Sequence, residues 1–196
     1  MLKRMGNGIE IAMGLLLVAL VGAGCQQQQT VPPAAPVMDQ AARIKRGQYL
    51  VTVGSCNDCH TPFKMGEKGP EPDMSRMLSG HPENLKLPAP PKFTQEWPGV
   101  SSATNTAWAG PWGISYTANL TPDEITGLGI WDEAMFFKAL RNGRHMGDGR
   151  PILPPMPWLS LAAMTDEDLK SVFAYLKSIP PIVNHVPDAI EAAPPK

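Results

Sequence analysis

The strongest constraint in this chain is a run of five residues, Cys56-Asn57-Asp58-Cys59-His60. Several chemistries use a C-x-x-C pair. A dithiol redox site of that spacing belongs in a strand–helix–strand context, and no such context is visible around these residues. A structural zinc site needs four ligands. The remaining nitrogen donors would come from His60, His81, His145 and His185, which have no tight paired spacing. A disulfide between cysteines three positions apart would be strained.

The histidine directly after the second cysteine points elsewhere. C-x-x-C-H is the attachment signature of a covalent haem, haem c. Each sulfur adds to one vinyl group of the porphyrin and forms a thioether. The adjacent imidazole is then placed to put a ring nitrogen on the iron, and neutral histidine is the common proximal ligand. Cys56 and Cys59 are therefore the candidate attachment residues and His60 the candidate proximal ligand. The chain holds one such motif, which predicts one haem and argues against a duplicated dihaem arrangement.

The N-terminus reads as an export signal over residues 1–24. Lys3 and Arg4 precede an apolar run from Ile11 to Val21, and the small residues Gly22, Ala23 and Gly24 follow. The run is too short to span a bilayer as a helix, which takes about 20 residues. Cys25 comes next. The segment resembles a bacterial lipobox, with Gly22 where leucine is usual, and predicts lipidation of Cys25. Residues 25–38, rich in glutamine and proline, read as a tether. The expected location is outside the cytoplasm, on a membrane facing the periplasm or the cell exterior. The formal net charge is −1, and no basic block exists beyond Arg43, Lys45 and Arg46, so no nucleic-acid partner is implied.

Three helices are expected. The first starts near Asp39 and runs through Ile44, Gly47, Leu50 and Val51 to Gly54. The second spans Asp132 to Asn142, with Phe136, Ala139 and Leu140 on one face and Gly143 as its stop. The third is capped by Thr165, carries Asp166, Glu167 and Asp168 in its first turn, and is stopped by Pro180 and Pro181. Between residues 63 and 113 no periodicity is visible, apart from a helical turn expected at Met74–Leu78. Trp97, Trp108 and Trp112 argue that this loop-rich insertion packs. Residues 182–196 read as a surface-hugging tail beyond a domain of 39–181.

With these residues in place, the chain resembles a class I monohaem c-type cytochrome, over roughly Asp39 to Pro181. Gly47 and Tyr49 match the glycine–aromatic positions of that family's first helix, and Tyr175 matches the aromatic of its last. The resemblance implies an all-α fold of a few helices around one haem, here with the 63–113 insertion. Thr61 and Pro62 extend the motif to CHTP. In the family the proline carbonyl orients the histidine's other nitrogen, which assigns that role to Pro62. The stretch from Gly110 to Asp123 resembles a subfamily of bacterial membrane-associated cytochromes.

The distal iron ligand is assigned to Met156, in Pro154-Pro155-Met156-Pro157-Trp158. The flanking prolines hold the loop extended, and the family keeps its axial methionine just before the final helix. Met146 and His145 are the competitors. The bland reading of Met135 and Met164 is core filler. His81 and His185 read as surface residues. Asn119, Trp108 and Trp112 are candidate donors to the haem carboxylates, with packing and turn chemistry as the alternative.

With iron held from both sides, no small-molecule substrate reaches it. The expected function is electron transfer between redox proteins, donor and acceptor, both membrane-associated, with no catalysis by the chain itself. Two alternatives stand beside it. One is an electron-entry subunit of a dehydrogenase or oxidase complex. The other is a haem enzyme or gas-binding protein with an open distal site.

Overall fold

A computed structural model describes residues 38–192, so the expected signal, Cys25 and most of the tether lie outside the described residues. Helix α1, Gln40–Val53, begins where the Asp39 carboxylate accepts the Ala42 N–H at 2.8 Å, and Gly54 closes it through Leu50 O. Its last turn leads at once into the short helix α2, Cys56–His60, which carries the C-x-x-C-H residues. Strands β1 (Phe63–Gly66) and β2 (Gly69–Pro72) form an antiparallel hairpin. Strands β3 (Val100–Ser101), β4 (Ala107–Gly110), β5 (Gly113–Tyr116) and β6 (Ile190–Glu191) form a second antiparallel sheet in that order. Between β5 and β6 come α3 (Glu133–Asn142), α4 (Trp158–Ala162) and α5 (Asp166–Ser178).

The helical frame follows the sequence expectation closely. Asp132 caps α3 through Met135 N at 2.7 Å, and Gly143, at φ +63°, ends it in the left-handed conformation. Thr165 caps α5 through Asp168 N at 3.1 Å. Helices α1 and α5 cross at Gly47. A Cβ there would collide with the Ser171 carbonyl oxygen and lie 2.7 Å from Tyr175 Cβ, so only glycine permits this approach. Arg46 meets Asp168 at 3.0 Å and Arg43 meets Glu167 at 3.3 Å at the rim of the crossing. Exposed pairs of this kind contribute at most about 1 kcal/mol, so packing holds the helices together. The core is Val51, Leu78, Leu128, Phe136, Leu140, Leu169, Leu176 and Ile179. Each such side chain contributes about 1.5–3 kcal/mol when fully buried.

The expectation of an all-α domain needs correction in the 63–113 segment. The β1–β2 hairpin, a 3-10 turn at Met74–Arg76 and strands β3 and β4 stand there, and β5 and β6 complete the second sheet from outside it. Among the described residues no strand exceeds four residues, too few for a period of two to be read. Trp108 and Trp112 pack as expected, whereas Trp97 is 76% exposed. Met164 packs against the core, but Met135 lies on the exposed side of α3. The tail is not merely laid on the surface. Asn184 is fully buried, and β6 completes the second sheet against β5. Among the described residues no helix is long and apolar enough to cross a membrane.

Candidate functional site

Helix α2 presents Cys56 and Cys59 as unpaired thiols, both partly buried. Cys56 packs against the core. Burial pushes its thiol up to about 11, and burial with the nearby Asp58 also raises Cys59. Among the described residues no three His, Cys, Asp or Glu side chains converge as a metal cluster would require.

His60 is 7% exposed. Its Nδ1 donates to the Ala118 carbonyl at 2.8 Å, which leaves Nε2 with the free lone pair. Burial holds the ring below its ordinary pKa, with the Ala118 bond opposing, so it is neutral at pH 7. A neutral imidazole with one nitrogen fixed by a carbonyl is the form that ligates a metal. The acceptor corrects an expectation. Pro62 O is instead bonded to the Asp73 N–H at 2.8 Å and braces the β1–β2 hairpin. Pro62 follows His60 by only two residues, while Ala118 lies 58 residues on, in the segment leaving β5.

The surrounding loops hold α2 from several sides. Gly80 N–H donates to His60 O at 2.8 Å. Asn105 Nδ2 donates to Asp58 O at 2.6 Å, and Thr61 Oγ1 links Asn57 to Leu78 N. The residue behind this frame that sequence reasoning misplaced is His81. It is fully buried, bonded to Thr106 Oγ1 at 2.9 Å and near Leu85 O at 3.3 Å, while His185 is exposed as expected.

The Met156 loop is tied to the same region. Ser115 Oγ on β5 donates to Pro154 O at 2.6 Å. Ser115 and Ala118 are three residues apart on one chain segment, which spans about 10 Å when extended. That segment therefore carries the acceptor for His60 at one end and the anchor of the Met156 loop at the other. Trp158 adds a second anchor, its ring packed over Gly143, where an added Cβ would sit 2.7 Å from Trp158 Cδ2. The competitors are held differently. His145 lies edge-on to Trp131, with ring centroids 5.2 Å apart, and is exposed. Met146 sits at φ +54° in a turn closed by the Arg144–Pro151 bridge and by Asn142 Nδ2 on Gly147 O.

Asn119 does not offer a donor to a ligand. Its Nδ2 is spent on Ile182 O (2.8 Å) and Thr126 Oγ1 (3.2 Å), and its Oδ1 accepts from Thr121 N and Oγ1. Trp108 and Trp112 differ. Both indole N–H groups are buried without a partner among the described residues. An unmet buried donor costs about 1–3 kcal/mol. Trp108 pairs with Ser115 across β4 and β5, so the two side chains share the face to which the Met156 loop is tied.

No protein-family model matches the chain. Among curated proteins it is 34% identical over 148 residues to the gluconate 2-dehydrogenase cytochrome c subunit of Pantoea cypripedii, covering 74% of this chain and 26% of that protein. It is 29% identical over 160 residues to the fructose dehydrogenase cytochrome subunit of Gluconobacter japonicus, covering 82% of this chain and 26% of that one. It is also 26% identical over 188 residues to the alcohol dehydrogenase (quinone) cytochrome c subunit of Gluconobacter oxydans, covering 94% of this chain and 30% of the relative. The chain thus spans less than a third of the length of these relatives. The likeness is to the cytochrome c subunits of dehydrogenases.

Proposed function

We propose that this chain carries electrons for an exported dehydrogenase, with Cys56 and Cys59 as the residues that would hold one haem c and His60 and Met156 as those that would ligate its iron. The observation that carries the reading is the C-x-x-C-H helix itself, with His60 buried, neutral and fixed through Nδ1 on Ala118 O. The fit of the group rests on the chain's own unmet needs. Two thiols are unpaired, and the buried indole N–H groups of Trp108 and Trp112 lack acceptors that the haem carboxylates would supply. Ile152, Leu153, Met156, Leu161 and Met164 are only half-buried, as apolar side chains awaiting an apolar partner would be.

When bound, the haem supplies a one-electron Fe(III)/Fe(II) couple. Cys56 and Cys59 fix its position, His60 supplies a neutral donor, and the loop tied by Ser115 and Trp158 presents the Met156 thioether. The half-buried apolar residues keep water from the site.

Electron transfer between membrane-associated redox partners is the first expectation from sequence. The relatives favour the alternative, an electron-entry subunit of a dehydrogenase. The lipidated Cys25 and its tether belong to the same proposal, since tethering raises the effective concentration of the domain near membrane-bound partners. Purification from source membranes in mild detergent tests it. The expected result is a fixed stoichiometry with a dehydrogenase catalytic chain, and haem reduced on adding that enzyme's substrate. A lone protein that no co-purifying dehydrogenase reduces would overturn the subunit reading.

A further inference from the structure

Two backbone contacts hold His60, and both come from irregular segments. Gly80 N–H binds its carbonyl and Ala118 O binds its ring, each at 2.8 Å. The two segments lean on one another. Leu120 N donates to Leu78 O at 2.8 Å, and His81 N donates to Thr117 O at 2.9 Å. Gly80, at φ +79°, is so close to the second segment that an added Cβ would lie 2.6 Å from the Ala118 carbonyl carbon. Neither segment is itself a helix or a strand, so something outside must fix them.

That support comes from the tail. Asn184 Nδ2 donates to Ser79 O at 2.7 Å and to His81 O at 2.9 Å, bracketing Gly80. Its Oδ1 accepts from Arg76 Nη2 and from Glu83 N, both at 3.0 Å. On the other segment Asn119, directly after Ala118, donates to the tail carbonyl of Ile182 at 2.8 Å. The Thr126 hydroxyl joins the two, accepting from Asn184 N at 3.0 Å and from Asn119 Nδ2 at 3.2 Å. Asn184 is fully buried and Asn119 is 4% exposed, and the two bonds donated by Asn184 Nδ2 lie where water cannot replace them.

We propose that Asn119, Asn184 and Thr126 are positioning residues that, through the tail, hold the Ala118 carbonyl on His60 and so set the reduction potential of the iron. This rests on the haem reading above. A carbonyl on Nδ1 makes the imidazole a stronger donor at Nε2. A stronger donor favours Fe(III), so loosening the network raises the potential.

The test uses haem-loaded protein in four forms, namely wild type, Asn184→Ala, Thr126→Val and Thr165→Ala. Thr126→Val preserves shape and removes the bridging hydroxyl together with its own bond to Asp123 Oδ1 at 2.6 Å. Thr165→Ala weakens α5 from outside the network. The first two variants are expected to keep covalent haem, to exchange the His60 Nδ1 proton faster by NMR, and to shift the midpoint upward. A tenfold change in the Fe(III)/Fe(II) equilibrium corresponds to about 59 mV. Thr165→Ala is expected to lose stability at unchanged potential. If Asn184→Ala yields no holoprotein, Thr126→Val decides. Network variants at wild-type potential and exchange rate, or an equal shift in Thr165→Ala, overturn the proposal. Wild-type protein without covalent pigment overturns the underlying haem reading instead.

Discussion

At the scale of single residues, the identity of the side chain matters most where space or water is absent. Gly47→Ala drives a methyl into the Ser171 carbonyl and the Tyr175 Cβ, so the α1–α5 crossing must open. The expected cost is about 1–3 kcal/mol, the range for overpacking, read as a lower denaturation midpoint in urea. His81 gives a pH dependence. Burial holds its folded pKa below the ordinary 6.5, opposed by the Leu85 carbonyl, and Arg76 adds to the lowering. The unfolded chain therefore takes up a proton first as pH falls. The stability His81 contributes is complete above about pH 6.5 and is lost as pH falls from there toward the folded value. Replacing His81 with glutamine is expected to flatten that part of the stability–pH curve, and an unchanged slope would count against it. At this scale the sequence is explicit about Cys56, Cys59 and His60, because their chemistry is local. It is silent about Ala118, whose contribution is a backbone carbonyl brought in from 58 residues away, and about the burial of His81 and Asn184.

At the scale of elements, legibility follows the caps. Asp39, Asp132 and Thr165 each accept a backbone N–H at the start of a helix, and Gly54 and Gly143 end two of them. These are local signals, and the sequence reads them correctly. The strands are carried by pairing instead. Four residues of β4 owe their conformation to β3 and β5, which no local pattern announces. Thr165→Ala removes a cap and is expected to cost about 1 kcal/mol, measurable by thermal or chemical unfolding. Ser115→Ala breaks the tie between β5 and Pro154 O. The Met156 loop then keeps only its Trp158 anchor, so the iron–sulfur charge-transfer absorption of the oxidised protein is expected to weaken while covalent haem is retained. Full intensity in that variant would show that Ser115 does not anchor the loop.

At the scale of the whole molecule, the described chain is a helical frame with two small antiparallel sheets built from its connecting segments and its tail. The sequence suggests a domain ending near residue 181. The packing continues to β6, because the tail supplies hydrogen bonds that the loops around α2 cannot make for themselves. Ending the chain after Pro181 removes Asn184 and strands Ser79 O and His81 O inside. Such a chain is expected to accumulate poorly and to mature little haem, seen as loss of haem stain at equal expression. The most direct test of the account is to denature purified protein and extract it with acidified organic solvent. Pigment that stays with the polypeptide, and is lost when Cys56 and Cys59 are both replaced by alanine, is the predicted result. Pigment that washes out of the unaltered chain, or that never forms in a host competent for haem attachment, would contradict it.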